Sequence, residues 1–181
     1  MSKIDQKVAE FKQVKLDADI SHLSDNQKEM LTHLMDAAKI MNEIYWHQAF
    51  GDKDTLLNRI DTEKLKTFVK INYGPWERLN ENQPFIEGYE QKPAGANFYP
   101  QDMTKEEFEA FDDPDKTSLY TLIRRDENGQ LVSIPYHEAF HEEVNKAAKL
   151  LEKAAELAEN EQFAKYLKLR AKAFRNDEYL K

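Results

Sequence analysis

The sequence predicts a mainly α fold: a helical domain with one β-hairpin and a long irregular segment that contains several prolines and glycines. Three observations predict it. Apolar residues recur at helical spacing near both ends of the chain. Between these stretches, proline and glycine are spaced too closely for long elements over residues 74–102. Two β-rich runs joined by an Asn-Gly turn then form the only clear β element.

Residues 1–22 are predicted to form a charged N-terminal arm, with a short helix over Ile4–Val14, that either packs late or stays mobile. Residues 23–181 are predicted to form a single mainly helical domain. A chain of 181 residues of which 40% are hydrophobic is long enough for one modest core.

The first long helix is predicted to begin at Ser24–Gln27, which has the S-x-x-Q form of a capping box, and to end at Gly51. A short helical turn over 55–60 and a helix over 62–71 follow. The second of these buries one apolar side, and Tyr73-Gly74-Pro75 ends it.

The irregular segment 74–102 is long for a compact domain, so it either carries a functional surface or covers the helical core. Thr104–Glu107 is a second capping box, and it predicts a short helix that Asp113-Pro114 ends. The hairpin is predicted over 118–134. Because a lone hairpin is marginal in water, it must pack on the helices or gain strands from a longer protein.

The last third predicts a helical pair over 136–175. One continuous helix runs from Pro135 or Tyr136 to about Asn160, and a second runs antiparallel from Glu161. The apolar residues of the second helix are predicted to be buried: Phe163, Tyr166, Leu167, Leu169 and Phe174.

Composition removes several function classes. The absence of cysteine excludes disulfides, thiolate zinc sites and cysteine nucleophiles. A net charge of -8 argues against nucleic acid as a partner. No apolar run approaches the ~18 residues that span a bilayer, and the N-terminus lacks the apolar stretch of a signal peptide. We therefore expect no membrane association and a cytoplasmic location.

His137-Glu138-Ala139-Phe140-His141 matches H-E-x-x-H, in which two histidines one helical turn apart bind zinc and the glutamate acts as general base. In the predicted helix, however, His137 lies in the first turn, where the helix dipole disfavours added positive charge. No third ligand is evident either. We therefore predict no metal site here, with zinc at His137 and His141 and Glu138 as base kept as the less favoured alternative.

Four segments resemble those of a known enzyme family and occur in the same order as in that family. They are Ile71–Trp76, Lys92–Phe108, Ile123–Asp126 with Gly129, and Pro135–Phe140. From about Leu23 onward the chain resembles the N-terminal region of the bacterial dipeptidyl peptidase III-like zinc hydrolases.

This resemblance implies a larger enzyme that hydrolyses peptides or related amides with one zinc, using an H-E-x-x-G-H helix and a later E-E-x-x-A-E-like segment. Neither motif occurs in these residues. It thus implies that the chain stops before the catalytic machinery, near Asn176–Tyr179, and that no catalytic residue or cofactor belongs to this chain. Zinc is implied for the full-length enzyme only. The family also places the segment around His137 outside the catalytic part.

Three residues are candidates for substrate binding. Asn97 and Tyr99, on a stiff proline-bounded loop, either bind a substrate main chain or satisfy their own loop. Arg124 is a candidate for binding a carboxylate such as a peptide terminus. Adjacent strand residues point to opposite faces, so one of Arg124 and Arg125 is expected to pair with Asp126 or Glu127 instead.

The favoured function is the N-terminal, non-catalytic lobe of a dipeptidyl peptidase III-like hydrolase, forming part of the substrate cleft wall. Its partners would be the C-terminal catalytic region of the same enzyme, or a self-dimer that hides the same surface, and a peptide-like substrate. The alternative is a free-standing helical protein-interaction module. A small zincin that uses the H-E-A-F-H segment is the third reading.

Overall fold

The computed structural model describes residues 3–180. Helices hold about half of these residues, and the described strands form two small two-stranded sheets. The predicted mainly α fold is therefore confirmed. The elements are α1 (Lys3–Glu10), α2 (Asp25–Ala49), α3 (Lys53–Asn58), α4 (Glu63–Asn72), β1 (Trp76–Glu77), β2 (Gln83–Pro84), α5 (Lys105–Ala110), β3 (Thr121–Arg125), β4 (Leu131–Pro135), α6 (Tyr136–Ala139), α7 (His141–Leu157) and α8 (Glu161–Phe174).

The chain forms two compact units. Unit 1 holds the residues up to Asp17 and Tyr45–Gln101, and unit 2 holds Ala18–Ile44 and the residues from Asp102 onward. The boundary between Ile44 and Tyr45 falls inside α2. The predicted division into an arm over 1–22 and one domain over 23–181 stays a prediction. No described helix combines the length and apolar character that crossing a bilayer requires.

In unit 1, α1 packs against α4. An ion pair of 2.8 Å joins Lys7 Nζ to the Glu77 carboxylate, and Phe11 contacts the ring of Phe68 at a centroid distance of 6.2 Å. The helix predicted over Ile4–Val14 is therefore real but ends at Glu10. Beyond it, residues 11–20 are exposed and have no helix or strand.

The core of unit 1 is formed by large side chains on the last turn of α2, on α3 and on α4. Trp46, Leu56, Ile60 and Val69 are buried together, beside a fully buried Phe68. Asp52 accepts a hydrogen bond from the Thr55 N–H and starts α3, while Thr62 does the same for α4. The helical segments predicted over 55–60 and 62–71 are confirmed with small shifts in their ends.

In unit 2, the predicted capping box at the start of α2 is confirmed. The Gln27 N–H donates to Ser24 Oγ at 3.2 Å, and the Ser24 N–H donates to Gln27 Oε1 at 3.1 Å. At the second predicted box, the Glu107 N–H donates to Thr104 Oγ1 at 3.1 Å, but the Glu107 carboxylate pairs with Arg125. In this second box, Thr104 caps the N-terminus of α5, but the side chain of Glu107 is used for the pair with Arg125.

The helical pair of α7 and α8 packs through alanine. Buried residues of both helices share one core with Ala37 of α2, and they are Ala147, Ala148, Leu151, Ala154, Ala155, Leu167 and Ala171. The prediction that α8 buries Phe163, Tyr166 and Leu169 is wrong, since these side chains are exposed. The small side chains let the two helices approach closely, so the larger residues of α8 lie on its other face.

The predicted continuous helix from Pro135 or Tyr136 to Asn160 is also wrong in one respect. It breaks at Phe140, which has φ -120° and ψ 36°, so α6 ends at Ala139 and α7 begins at His141. The Phe140 side chain at this break is buried.

The predicted hairpin is confirmed as β3 paired antiparallel to β4, with Ile123 opposite Ser133. Asp126 Oδ1 accepts hydrogen bonds from the Asn128 and Gln130 N–H groups, which builds the turn. Gly129 has a positive φ of 78° there. The pair β1 and β2, within the irregular segment, was not predicted.

Candidate functional site

The loop over residues 88–101 of unit 1, here called the proline loop, carries two of the three predicted substrate-binding residues. Its anchor is Asn97. The Asn97 N–H donates to the Gln48 carbonyl at 3.0 Å, and Asn97 Nδ2 donates to the His47 carbonyl at 2.8 Å. Both carbonyls belong to the last turn of α2, where the helix leaves them without an internal partner. Asn97 therefore satisfies the end of a helix, and its contact with a substrate stays a prediction.

Tyr99 is positioned by a glycine. Gly95 has φ +79°, and a Cβ placed on it would lie 2.5 Å from Tyr99 Cδ2. The Phe98 N–H donates to the Gly95 carbonyl at 3.0 Å and closes the turn. Because the Tyr99 ring lies on the bare backbone of Gly95, the loop fixes where the half-buried phenol points.

Two aromatic rings from outside the proline loop, Phe50 and Trp76, contact the ring of Tyr89 in the loop. The ring centroids of Phe50, Trp76 and Tyr89 are 5.8 to 6.1 Å apart. Trp76 Nε1 donates to the Glu90 carbonyl at 2.8 Å, so the loop is also tied to this aromatic cluster. Tilted and edge-to-face ring pairs at these distances are favourable, so they stabilise the arrangement of the three rings.

A cavity of about 580 Å³ opens against these rings. Its wall combines apolar and charged side chains: Phe50, Leu56, Trp76, Tyr89 and Pro93 with Asp52, Arg59 and Glu90, together with Thr55, Gly88, Gln91 and Gln101. This volume lies in the range of small-ligand pockets. Such a wall can enclose a side chain of a peptide while the charged groups contact its polar main chain.

The electrostatics of the cavity follow from local hydrogen bonds. The hydroxyl and N–H of Thr55 lower the pKa of the Asp52 carboxyl below its ordinary value. Asp52 therefore stays ionised at neutral pH and keeps a negative charge at the cavity wall. In the proline loop, burial and the charge of Arg78 lower the pKa of Lys92.

The third predicted residue, Arg124, lies in unit 2 on β3. Its Nη1 donates to the Ile123 carbonyl at 2.7 Å, and burial lowers its pKa. Arg125 forms a bidentate pair with Glu107, at 2.7 and 2.9 Å, and its Nε donates to Asp102. For Arg125 the expected pairing with Asp126 or Glu127 is wrong, because α5 brings Glu107 against the strand. Unit 1 holds Asn97 and Tyr99, so the three candidates do not share one unit.

The residues of the H-E-x-x-H segment do not fit a zinc site. His137 Nδ1 lies 2.8 Å from Asp177 Oδ2, and the His137 N–H donates to the same oxygen at 3.1 Å. Beyond the break at Phe140, His141 starts a separate helix, and its ring lies against the Asn145 amide. Within residues 3–180, no three metal-ligating side chains converge. His137 and Asp177 instead join the start of α6 to the segment after α8.

Sequence reasoning missed several residues that build this site. The loop that brings together Trp76, Tyr89 and Lys92 has no periodic pattern. The carbonyls of α2 that bind Asn97 belong to the backbone, so residue identity does not reveal them. The dense run of aromatic and proline residues around Asn97 was the one usable sign, because apolar residues in an irregular segment need something to pack against.

Comparisons with known proteins place this chain beside two solved structures. The structure of DPP III from Caldithrix abyssi has a TM-score of 0.90 and 40% identity, over 97% of this chain and 36% of that one. The structure of dipeptidyl-peptidase III from Corallococcus sp. strain EGB has a TM-score of 0.88 and 33% identity, over 97% and 35%.

A curated relative is Nudix hydrolase 3 of Arabidopsis thaliana, which is 28% identical over 238 aligned positions, covering 97% of this chain and 31% of that protein. No family model matches. The chain thus spans about a third of each of these proteins. The predicted resemblance to a region of dipeptidyl peptidase III is confirmed.

Proposed function

From this likeness to one part of dipeptidyl peptidase III, we propose that the chain is the N-terminal, non-catalytic lobe of a dipeptidyl peptidase III-like zinc hydrolase. In this role it forms part of the wall of a cleft that binds a peptide-like substrate. The catalytic zinc is held by residues outside these 181. The chain contributes shape and binding contacts to the reaction, and it holds neither the metal nor the general base.

The main support for the proposal is that specific contacts hold the proline loop in one conformation. Asn97 ties it to α2 through two hydrogen bonds, and Gly95 sets the position of Tyr99. Gln91, Pro93 and Gln101 of the same loop line the cavity against the aromatic rings. A loop that merely covered a core would have no need of a rigid, open wall with both apolar and charged groups.

The second support comes from α8 in unit 2. Phe163, Tyr166 and Leu169 are 37%, 49% and 49% exposed, and they recur at intervals of three residues along one side of the helix. Large apolar side chains in such a stripe are typical of a surface that another segment covers. We propose that the C-terminal catalytic region of the same enzyme, or a second copy of this chain, covers it.

A chimera tests the proposal. In it, this chain replaces the matching third of the Caldithrix abyssi enzyme, and release of dipeptides from an N-terminally free peptide is measured. The matched control is the Caldithrix abyssi protein with that third deleted. We expect activity in the chimera and none in the control. A chimera that folds and binds one zinc, yet shows no hydrolysis, would contradict the proposal.

The alternatives give different results on the isolated chain. A small zincin would bind one zinc per chain after chelation and reloading, and His141→Ala would lose it. The proposal predicts no stoichiometric zinc in either protein. A free-standing interaction module would stay monomeric with α8 exposed, and the chimera made with it would be inactive.

The cytoplasmic location stays a prediction.

A further inference from the structure

We infer that Lys92 is the centre of a carboxylate-binding site in unit 1, at a second cavity beside the aromatic one. Its ligand is a carboxylate of a peptide, either the C-terminus or an acidic side chain. The identity of the ligand as a peptide rests on the proposed function. The site itself rests on geometry and charge.

The site is a second cavity, of about 490 Å³. Two backbone turns and the chain around Lys92 line it: Glu81, Asn82, Gln91, Lys92, Pro93, Ala94, Gly95, Ala96 and Phe98. Gln91 and Pro93 line both cavities, so the two cavities adjoin at these residues. A peptide side chain in one cavity would thus lie close to a group in the other.

The position of Lys92 is fixed on one side by an aromatic ring. Its Nζ lies 5.9 Å from the centroid of Trp76, within the range of a cation–π contact. Trp76 is buried and is held by its own hydrogen bond to the Glu90 carbonyl. The ammonium therefore has an aromatic contact but no anionic partner in the described chain.

The charge of Lys92 is not neutralised. Among residues 3–180, no carboxylate oxygen lies within 4.0 Å of its Nζ. Arg78 is close enough for its positive charge, with burial, to lower the pKa of Lys92. A partly buried lysine beside a second cation is unfavourable for the fold alone, and an anion in the cavity would relieve it.

Two other lining residues bear on the ligand. Gly95 has an N–H with no acceptor among residues 3–180, so it offers a second donor at the same cavity. Glu81 also lines the cavity and would repel an anion, but its side chain is exposed and water screens its charge. An ammonium and an N–H from residues that line one cavity suit a carboxylate, which accepts several hydrogen bonds.

The test uses the full chain and three short probes at constant ionic strength. They are acetyl-Ala-Ala-Ala, the same peptide as its C-terminal amide, and acetyl-Ala-Asp-Ala amide. Binding is followed by the NMR signal of the Trp76 indole N–H, which lies beside Lys92. We expect the free-carboxylate peptide or the aspartate peptide to shift this signal, and the neutral amide to leave it unchanged. Whichever of the two carboxylate peptides binds more tightly identifies the source of the carboxylate.

Lys92→Met keeps the length of the side chain and removes the charge, and we expect it to weaken binding about tenfold or more. Lys70→Met, at an exposed position of α4 in the same unit, is the matched control and should leave binding unchanged. Glu81→Gln should tighten it by about twofold through lost repulsion. Equal binding by Lys92→Met, or no shift with either carboxylate peptide, would overturn the inference. Either result would leave the chimera's activity as a separate test of the lobe.

Discussion

The two units are stabilised in different ways. Unit 2 packs through small residues at regular helical spacing, with Ala147, Ala154 and Ala171 fully buried. Unit 1 packs through large rings and ties its irregular chain down with single hydrogen bonds, such as those of Asn97 and Trp76. Regularly spaced small residues therefore stabilise the helices of unit 2, whereas the candidate binding surface of unit 1 depends on a few specific contacts.

The largest effect should come from the aromatic core of unit 1. Phe68 is 1% exposed, and Phe68→Ala should lower the free energy of unfolding by about 3–5 kcal/mol, measured by urea denaturation. Phe163→Ala, in the exposed stripe of α8, is the matched control and should change it by about 0.5 kcal/mol or less. Equal costs for the two substitutions would mean that Phe163 is buried and that the distinction between the units fails.

The alanine packing of unit 2 should reject a larger side chain. Ala154 is 0% exposed on α7, so Ala154→Leu should cost about 1–3 kcal/mol of stability by overpacking. Ala38→Leu, on an exposed side of α2, has the same change in volume and should be close to neutral. Thermal unfolding followed by circular dichroism checks both. A tolerant Ala154 site would show that the helices are not in close contact there.

A smaller and more local effect is expected at the anchor of the proline loop. Asn97→Ala removes the hydrogen bond from Nδ2 to the His47 carbonyl and should cost about 1 kcal/mol. Amide hydrogen exchange should rise around residues 93–99 and stay unchanged in unit 2. Asn58→Ala, at the exposed end of α3, serves as control. Unchanged exchange in the loop would mean that Asn97 does not anchor it.

The smallest effect should come from an ion pair of unit 2, and it depends on pH. The Arg175 guanidinium, at 2.6 and 3.0 Å, lowers the pKa of the Glu152 carboxyl. A depressed carboxyl pKa adds stability above the unfolded value of about 4.3, and this stability is lost as the pH falls through the folded pKa. The Tm of Glu152→Gln should therefore lie below that of the parent at pH 7, and the gap should close towards pH 3.

The control for this pair is Glu156→Gln, at an exposed position of the same helix that forms no ion pair in the described chain. Its Tm should follow that of the parent at every pH. A gap for Glu152→Gln that persists at low pH would mean that the substitution acts through packing and not through charge.

The frame of the fold could be predicted because its signals are local. Ser24 and Gln27 start α2 through their own hydrogen bonds, and the Asn-Gly turn sets the hairpin. The predictions that are wrong concern features that depend on tertiary contacts and not on local sequence. Phe163 and Tyr166 fit a buried stripe equally well by spacing, and only the close approach of the alanines decides which side of α8 is covered.

The candidate site was harder to predict for the same reason. Asn97 and Tyr99 were identified because they lie in an aromatic run between prolines, but their partners, two carbonyls of α2 and one bare glycine, carry no pattern in the sequence. Lys92 was not identified at all, because its importance lies in the absence of an ionic partner. The break at Phe140 likewise has no helix-breaking proline or glycine to mark it in the sequence.

Steady-state kinetics of the Caldithrix abyssi chimera with and without Tyr99→Phe test whether the proline loop binds substrate. This change removes the hydroxyl and keeps the ring on Gly95. If the proline loop forms a cleft wall that binds substrate through this hydroxyl, KM for a peptide should rise several-fold with kcat unchanged, whereas Tyr45→Phe, an exposed tyrosine of unit 1, should have no effect. An active chimera in which Tyr99→Phe leaves KM unaltered would contradict a substrate-binding role for the loop.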